Sequence, residues 1–504
     1  MGLAALLIGA GVLGSRILGY VRDAVIAAQH GAGADTDVYF ASFTVPDLMK
    51  YMLDGGALSL VFIPMIADMM HGDREDEAWD CFGVVATTVF VVACLATVGL
   101  WLAAPTLVPL LVPGFDAEQI AQTVSMTRIV LPGQIFFMIG GLLNATLQVR
   151  ERFVETALAG LVYNGFIIAG GLILGPSMGI AGFSWGALAG AIGQCALFGN
   201  AARRQGLVLR PRFSLTDPHF VRFFKQSIPV LLGFSLVAAD EWISRWFASG
   251  MAEGSISWIQ NARRLMLVPI SVLGFATSQA ALPFLSKLHA EGKPAEAAQM
   301  LADTVRIVAF VCALAAGWLA VAAEPIIGLF FERGAYDAVD TVQTAGALFF
   351  FALGVVFWGM YSLVGRGFYA MQDTWTPMLL ATGVFVVCMP IYATLGEAMG
   401  HRGLALSTTI GMMLTVAALL LALHRKTPLP LGAMAISIAR SMGIAGAAGG
   451  AAWAVDVAVG LDGYLLRGVL VSAVYGVLAL GAAFVLRVNE LDAVAGGVLR
   501  RLRR

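Results

Sequence analysis

Apolar runs close to twenty residues long recur along the whole 504-residue chain, centred near residues 12, 55, 95, 136, 165, 190, 237, 272, 312, 355, 385, 413, 445 and 476. A helix rising 1.5 Å per residue needs about 20 residues to cross about 30 Å of hydrocarbon. The pattern therefore predicts an all-α polytopic membrane protein with roughly fourteen transmembrane helices. An even number of crossings puts both termini on one side. The first run is interrupted by Arg16, Arg22 and Asp23, and no small-residue cleavage site follows a basic start. That marks a retained helix and not a signal peptide.

The polar connections say which side the termini occupy, because Lys and Arg accumulate in cytoplasmic loops. The connections after spans two, four, six, eight, ten and twelve hold Arg74; Arg150 and Arg152; Arg203, Arg204, Arg210, Arg212, Arg222 and Lys225; Lys287 and Lys293; Arg366; and Arg425 with Lys426. The tail adds Arg500, Arg501, Arg503 and Arg504. The opposite connections are mostly acidic, with Arg333 and Arg402 as exceptions. Both termini are expected in the cytoplasm.

The two halves of the chain resemble each other. Pro64 in Phe62-Ile-Pro64 matches Pro283 in Leu282-Pro283, 219 residues on; Glu151-Arg-Phe153 matches Asp373-Thr-Trp375 at 222; and Met178-Gly-Ile-Ala-Gly182 matches Met399-Gly-His-Arg-Gly403 at 221. Six spans per half, an even number, give the second copy the same membrane direction as the first. Such a parallel repeat is expected to place a transporter's substrate site between its halves. The expected division is an N-terminal lobe over 1–215, a C-terminal lobe over 216–428, and two extra helices with a basic cytoplasmic tail over 429–504.

Ionisable groups within a span are costly and therefore point to function. Span one carries Arg16, Arg22 and Asp23; span two carries Asp37, then Asp47, Lys50 and Asp54 on one helical face above Gly55-Gly56, a pair expected to bend the helix. In span seven, Glu241 and Arg245 are four apart and expected to pair, leaving Asp240 with no evident local partner and a candidate for a coupling cation. Span eight opens with Arg263 and Arg264, which point 100° apart, one toward a cavity and the other toward headgroups. Arg366, Arg440 and Asp456 lie nearer span ends, where snorkelling accounts for them. The deep charges include Arg16, Arg22, Lys50 and Arg264, an excess of cations. Forked guanidinium groups suit phosphate, so the expected substrate is an anionic, phosphate-bearing amphiphile.

Composition narrows the class further. Apolar residues make up 59% and charged residues 12% of the chain, against about 25% charged in soluble domains, and mean hydropathy is +0.83. Lys plus Arg number 31 and Asp plus Glu 32, so no nucleic-acid partner is indicated. Five cysteines without C-x-x-C spacing argue against a disulfide framework or a thiolate metal site. Neither a phosphate-binding G-x-x-x-x-G-K-[ST] nor H-E-x-x-H nor G-x-S-x-G occurs. The reading is a secondary transporter, not an enzyme, with no cofactor and with the membrane potential or a coupling cation as driving force.

Several stretches match a known family: Ser15-Arg-Ile-Leu-Gly-Tyr-Val-Arg-Asp23, Thr36-Asp37, Phe62-Ile-Pro64, Arg264-Leu-Met266, Leu282-Pro-Phe-Leu-Ser-Lys287, Phe331-Glu-Arg-Gly-Ala-Tyr336 and Gly367-Phe-Tyr-Ala-Met-Gln-Asp-Thr-Trp-Thr-Pro377. The chain resembles the MurJ (MviN-type) lipid II flippases of the MOP exporter superfamily over nearly its whole length. The resemblance implies two six-helix lobes, two extra helices whose groove would hold a polyprenyl tail, and alternating access carrying undecaprenyl-diphosphate-linked disaccharide-pentapeptide across the bacterial inner membrane. It carries Arg16, Arg22, Asp23, Asp37 and Arg264 over as cavity positions. Lys50-Tyr51 stands where many relatives have two arginines, Gly55 stands where an acid usually follows, and the pI of about 6.6 is lower than in many relatives. A sodium site of some relatives does not map, since its acid would align with Ser244, one turn after Asp240.

On this reading Arg16, Arg22, Lys50 and Arg264 hold the diphosphate, Asp23 organises the arginines, and the tail stays in lipid. Membrane lipids, and cell-wall synthesis enzymes as protein partners, complete the expected surroundings. The alternatives are a flippase for another polyprenyl-diphosphate glycan, a cation-coupled drug exporter with an acid-dominated cavity, and a non-transporting scaffold for envelope synthesis.

Overall fold

The computed structural model describes residues 2–54, 61–70, 74–232 and 236–493. Gly55-Gly56, the side chain of Asp54 and the arginines of the tail lie outside the described residues. The regular structure among the described residues is helical, and it falls into two compact units, residues 1–234 and 235–504.

The first unit contains α1 (Gly2–His30), α2 (Ala34–Ser42), α3 (Thr44–Asp54), α4 (Ile63–Met70), α5 (Glu75–Leu111), α6 (Ala117–Val130), α7 (Gly133–Val149), α8 (Val154–Met178), α9 (Ala181–Arg204) and α10 (Pro218–Leu232). The second contains α11 (Leu236–Ala248), α12 (Ser255–Pro269), α13 (Ala276–Ala290), α14 (Pro294–Val321), α15 (Ala323–Phe331), α16 (Ala338–Ala370), α17 (Trp375–Met399), α18 (His401–Lys426), α19 (Leu431–Val459) and α20 (Tyr464–Val485). Among the described residues, eleven helical stretches are long and apolar enough to cross a membrane. They match spans three to six and eight to fourteen. The other expected spans fall on α1, on α2–α4 and on α10 with α11.

Local chemistry explains the breaks. Pro132 ends α6 against α7, where the chain lacks an N–H to continue the ladder. Pro269 is followed by a π-helical turn, Ile270–Phe275, before α13 resumes, the widened geometry that such interruptions adopt. In the first unit α1 lies along α8 at close range: a Cβ on Gly160 would run into Ser15 Oγ. Small residues at such crossings let backbones approach, which is how helices associate in lipid. In the second unit α16 is the central helix. The most apolar stretch of α16 is 67% buried, with Phe351, Trp358 and Phe368 inside, whereas that of α17 is 17% buried and faces outward.

The repeat is sharper in backbone geometry than in sequence. Glu151 (φ 56°) and Gln372 (φ 60°) are left-handed residues 221 apart, and Gly179 and Gly400, also 221 apart, share φ near 60° and ψ of −143°. Arg152 N–H donates to Leu147 O at 2.9 Å and Asp373 N–H to Phe368 O at 3.0 Å, closing the same turn. Asp116 and Asp337 cap α6 and α16 at the same spacing, the first accepting from Gln119 N at 2.8 Å and the second from Val339 N at 2.8 Å. Glu151 therefore corresponds to Gln372, one residue earlier than the pairing with Asp373 that sequence similarity gave.

The first unit ends nearer residue 234 than the expected 215, because α10 packs on α3 and α5. The last two helices pack into the second unit: α19 runs along α14, and α20 against α19 and α15, around Ala448, Ala452, Val471 and Tyr475.

Candidate functional site

In the first unit Arg22 sits at the α1–α8 contact. Arg22 is only 13% exposed at its side chain. Its Nε donates to Asp23 Oδ1 at 3.0 Å and its Nη1 to Asn164 Oδ1, on α8, at 2.8 Å. Asn164 is itself oriented: its Nδ2 donates to Gly160 O at 2.8 Å and to Ser15 O at 3.4 Å, so its carbonyl is the end left for Arg22. Asp23 is buried. Two of the five guanidinium N–H donors are thus used for aiming, and Nη2 has no partner among the described residues.

Lys50, on α3, is exposed and sits over the Phe137 ring of α7, 5.3 Å from its centroid. Phe137 packs edge-on against Tyr163 at 5.1 Å, the residue before Asn164. An aromatic pair thereby links Lys50 to the neighbourhood of Arg22. Arg16 lies six residues before Arg22 on α1 and is exposed; Asp37 is buried in α2 at 3% exposure. Arg22 and Asp23 are therefore brought together with Asn164, a member that sequence reasoning missed, while Lys50 sits on the far side of the Phe137–Tyr163 pair. The signal was available: it is an amide in an otherwise apolar span, and polar side chains there bond across helices.

In the second unit the adjacent arginines of α12 diverge as their spacing requires. Arg264 is half-buried, but Arg263 does not snorkel. It is 5% exposed and forms an ion pair with Asp240 of α11, while its Nη2 donates to Ser244 Oγ at 3.1 Å. Asp240 also accepts from Tyr392 Oη and, at 2.8 Å, from Thr408 Oγ1. Asp240, with no ion-pair partner on its own helix, is met across helices instead. Its partner lies 23 residues away, and a cation there would have to displace a guanidinium and two hydroxyl donors. Glu241 and Arg245 form the expected pair. Asp456 is likewise no snorkelling acid: it is buried and accepts from Arg467 Nη2 at 2.9 Å.

A family model described as Lipid II flippase MurJ matches residues 26–470. The chain belongs to the MurJ lipid II flippase family. Curated relatives agree in extent: a lipid II flippase MurJ of Burkholderia cenocepacia is 28% identical over 421 residues, 82% of this chain and 81% of that protein. A probable lipid II flippase MurJ of Vibrio cholerae is 26% identical over 432 residues, 84% and 82% of the two chains. Among solved structures, a lipid II flippase MurJ in an inward closed conformation superposes with a TM-score of 0.78 at 22% identity, over 95% of this chain and 99% of that one. An inward-facing multidrug MATE transporter of the MOP superfamily gives 0.66 at 15% identity, over 82% and 94%. At these identities the structures speak for the fold alone, a multi-pass helical bundle.

Proposed function

We infer that this chain translocates lipid II, the lipid-linked peptidoglycan precursor, and the observation that carries the inference is the family match over residues 26–470. The transported species is a membrane lipid with a diphosphate headgroup, and the membrane is the bacterial inner membrane, with both termini cytoplasmic by the distribution of Lys and Arg. Headgroup passage is the part that needs protein. Leaving the polyprenyl tail in lipid avoids exposing it to water, at about 0.8 kcal/mol per CH₂.

We assign Arg22 as the principal diphosphate ligand in the first unit. Asp23 and Asn164 aim it, and one carboxylate and one neutral amide leave a guanidinium face for a phosphate fork. Arg16, Lys50 and Arg264 are the further cations proposed to meet the headgroup, and Asp37 is assigned to its polar surroundings. Lys50 contributes a point charge in place of a planar fork. Alternating access would proceed by rocking of the lobes, and the membrane potential, about 2.3 kcal/mol per charge per 100 mV, would reset the emptied cationic site without nucleotide hydrolysis. Asp240 is assigned to holding Arg263, and not to a coupling ion.

The test is rescue of a flippase-depleted bacterium by the wild type, Arg22→Ala and Arg264→Ala at matched membrane levels. The wild type should rescue and the two variants should not. Rescue by all three would overturn the assignment.

A further inference from the structure

Two helices of the second unit, α11 and α12, sort their charges into two ranks. Along α12 the positions left open or half-buried, Gln260, Arg264, Leu267, Val268 and Ser271, fall at i, i+4, i+7, i+8 and i+11, one stripe of the helix. Ile259, Ala262, Arg263 and Met266 lie buried on the other side. On α11, Asp240 and Ser244 are buried and four apart, and Glu241 follows Asp240 by the same 100° that separates Arg264 from Arg263. The two helices pack together, so Asp240 stands opposite Arg263 and Glu241 is turned toward Arg264.

The inner rank is closed. Arg263 takes Asp240 and Ser244, Asp240 takes Tyr392 and Thr408 as well, and the two charged side chains are 6% and 4% exposed. The outer rank is open, with the Glu241 side chain 23% exposed. Its Oε1 accepts from Arg245, its carboxylate accepts from the Gln260 side chain, and Arg264 lies within its electrostatic reach. A carboxylate offers about four lone-pair sites, so Arg245 does not exhaust it. The guanidinium groups of Arg245, Arg263 and Arg264 meet the carboxylates of Asp240 and Glu241 alone in this cluster, which leaves a positive charge in excess. With the inner pair neutral and Arg245 buried at 5% exposure, that excess falls to Arg264 on the open stripe.

We propose that Glu241 is a positioning residue for Arg264: its carboxylate, fixed by Arg245 and Gln260, holds the guanidinium on the open stripe where a phosphate-bearing headgroup can reach it. An acid and an amide then serve Arg264 as Asp23 and Asn164 serve Arg22 in the first unit. The pairing of Glu241 with Arg245 fixes the carboxylate and is not its whole task. This rests on the reading of Arg264 as a headgroup ligand.

Flipping by the full-length protein in proteoliposomes tests it, with the lipid II mole fraction at half-maximal rate and the maximal rate read separately. Glu241→Gln/Arg245→Met removes both members of the pair, since stripping Glu241 alone would leave a buried cation unpaired. Were Glu241 there only to neutralise Arg245, this double variant would flip as the wild type does. It should instead need about ten-fold more lipid II for half-maximal rate, at an unchanged Tm. Adding Arg264→Ala to it should be no worse than Arg264→Ala alone. Gln260→Ala, which leaves every charge in place, should raise the half-maximal mole fraction about three-fold, and Glu253→Gln, at an exposed acid between the two helices, should change nothing. Wild-type half-saturation by the double variant or, if that protein does not accumulate, by Gln260→Ala would overturn the proposal, and so would losses that add to that of Arg264→Ala. Wild-type half-saturation by Arg264→Ala itself would overturn the headgroup reading and the proposal with it, so the two failures are told apart.

Discussion

If Arg22 works because Asn164 aims it, removing the amide should disable the arginine while leaving it in place. Asn164→Ala deletes the acceptor 2.8 Å from Arg22 Nη1 and the donors to Gly160 O and Ser15 O. A hydrogen bond to a charged group contributes about 1.5–3 kcal/mol, and about 1.4 kcal/mol corresponds to ten-fold. The population of the aimed guanidinium should therefore fall about ten- to 150-fold. Gly160 O keeps its place beside the α8 backbone ladder, so the loss concentrates on Arg22. The assay is lipid II flipping in proteoliposomes at matched protein density, measured for wild type, Asn164→Ala, Arg22→Ala and the double variant. The single variants should both lose flipping, and the double variant should be no worse than Arg22→Ala alone, since two groups acting through one interaction are non-additive. Wild-type flipping by Asn164→Ala, or additive losses in the double variant, would refute the aiming role.

Three further outcomes are expected. Gly160→Val should weaken the α1–α8 contact, because even its Cβ would run into Ser15 Oγ; overpacking typically costs about 1–3 kcal/mol, read as a lowered Tm, whereas Gly14→Ala, whose nearest neighbour is Leu161 Cδ2 at 3.5 Å, should be tolerated. Asp240→Asn should strip the charge partner from buried Arg263 and destabilise the second unit by about 3–5 kcal/mol, seen as low yield and low Tm, while the cation dependence of flipping by the surviving protein stays that of the wild type. In the connection before α17, partial burial would raise the carboxyl of Asp373, but hydrogen bonds from Lys426 and Thr376 prevail and hold it down to about 2. Being depressed, this carboxyl stabilises the fold above the ordinary carboxylate pKa and loses that contribution as the pH falls toward 2. With Lys426 43% exposed the effect is at most about 1 kcal/mol, so Asp373→Asn should lower Tm slightly at pH 7 and not at pH 2.

Much of the architecture follows from periodicity alone. Span number and the repeat spacing near 221 were legible because a helix must be long and apolar to cross lipid, and because two copies of one unit keep similar residues, such as Met178 and Met399, at the same interval. The exact register needed the backbone, since Glu151 and Gln372 share a conformation and not a residue type. Charge partners were legible only when they lay on one helix, as with Glu241 and Arg245. Helical periodicity says which face a side chain occupies but not which neighbour that face meets. For that reason the pairing of Arg263 with Asp240, the hydroxyls of Tyr392 and Thr408 around it, and the hold of Asn164 on Arg22 were decided by tertiary packing alone.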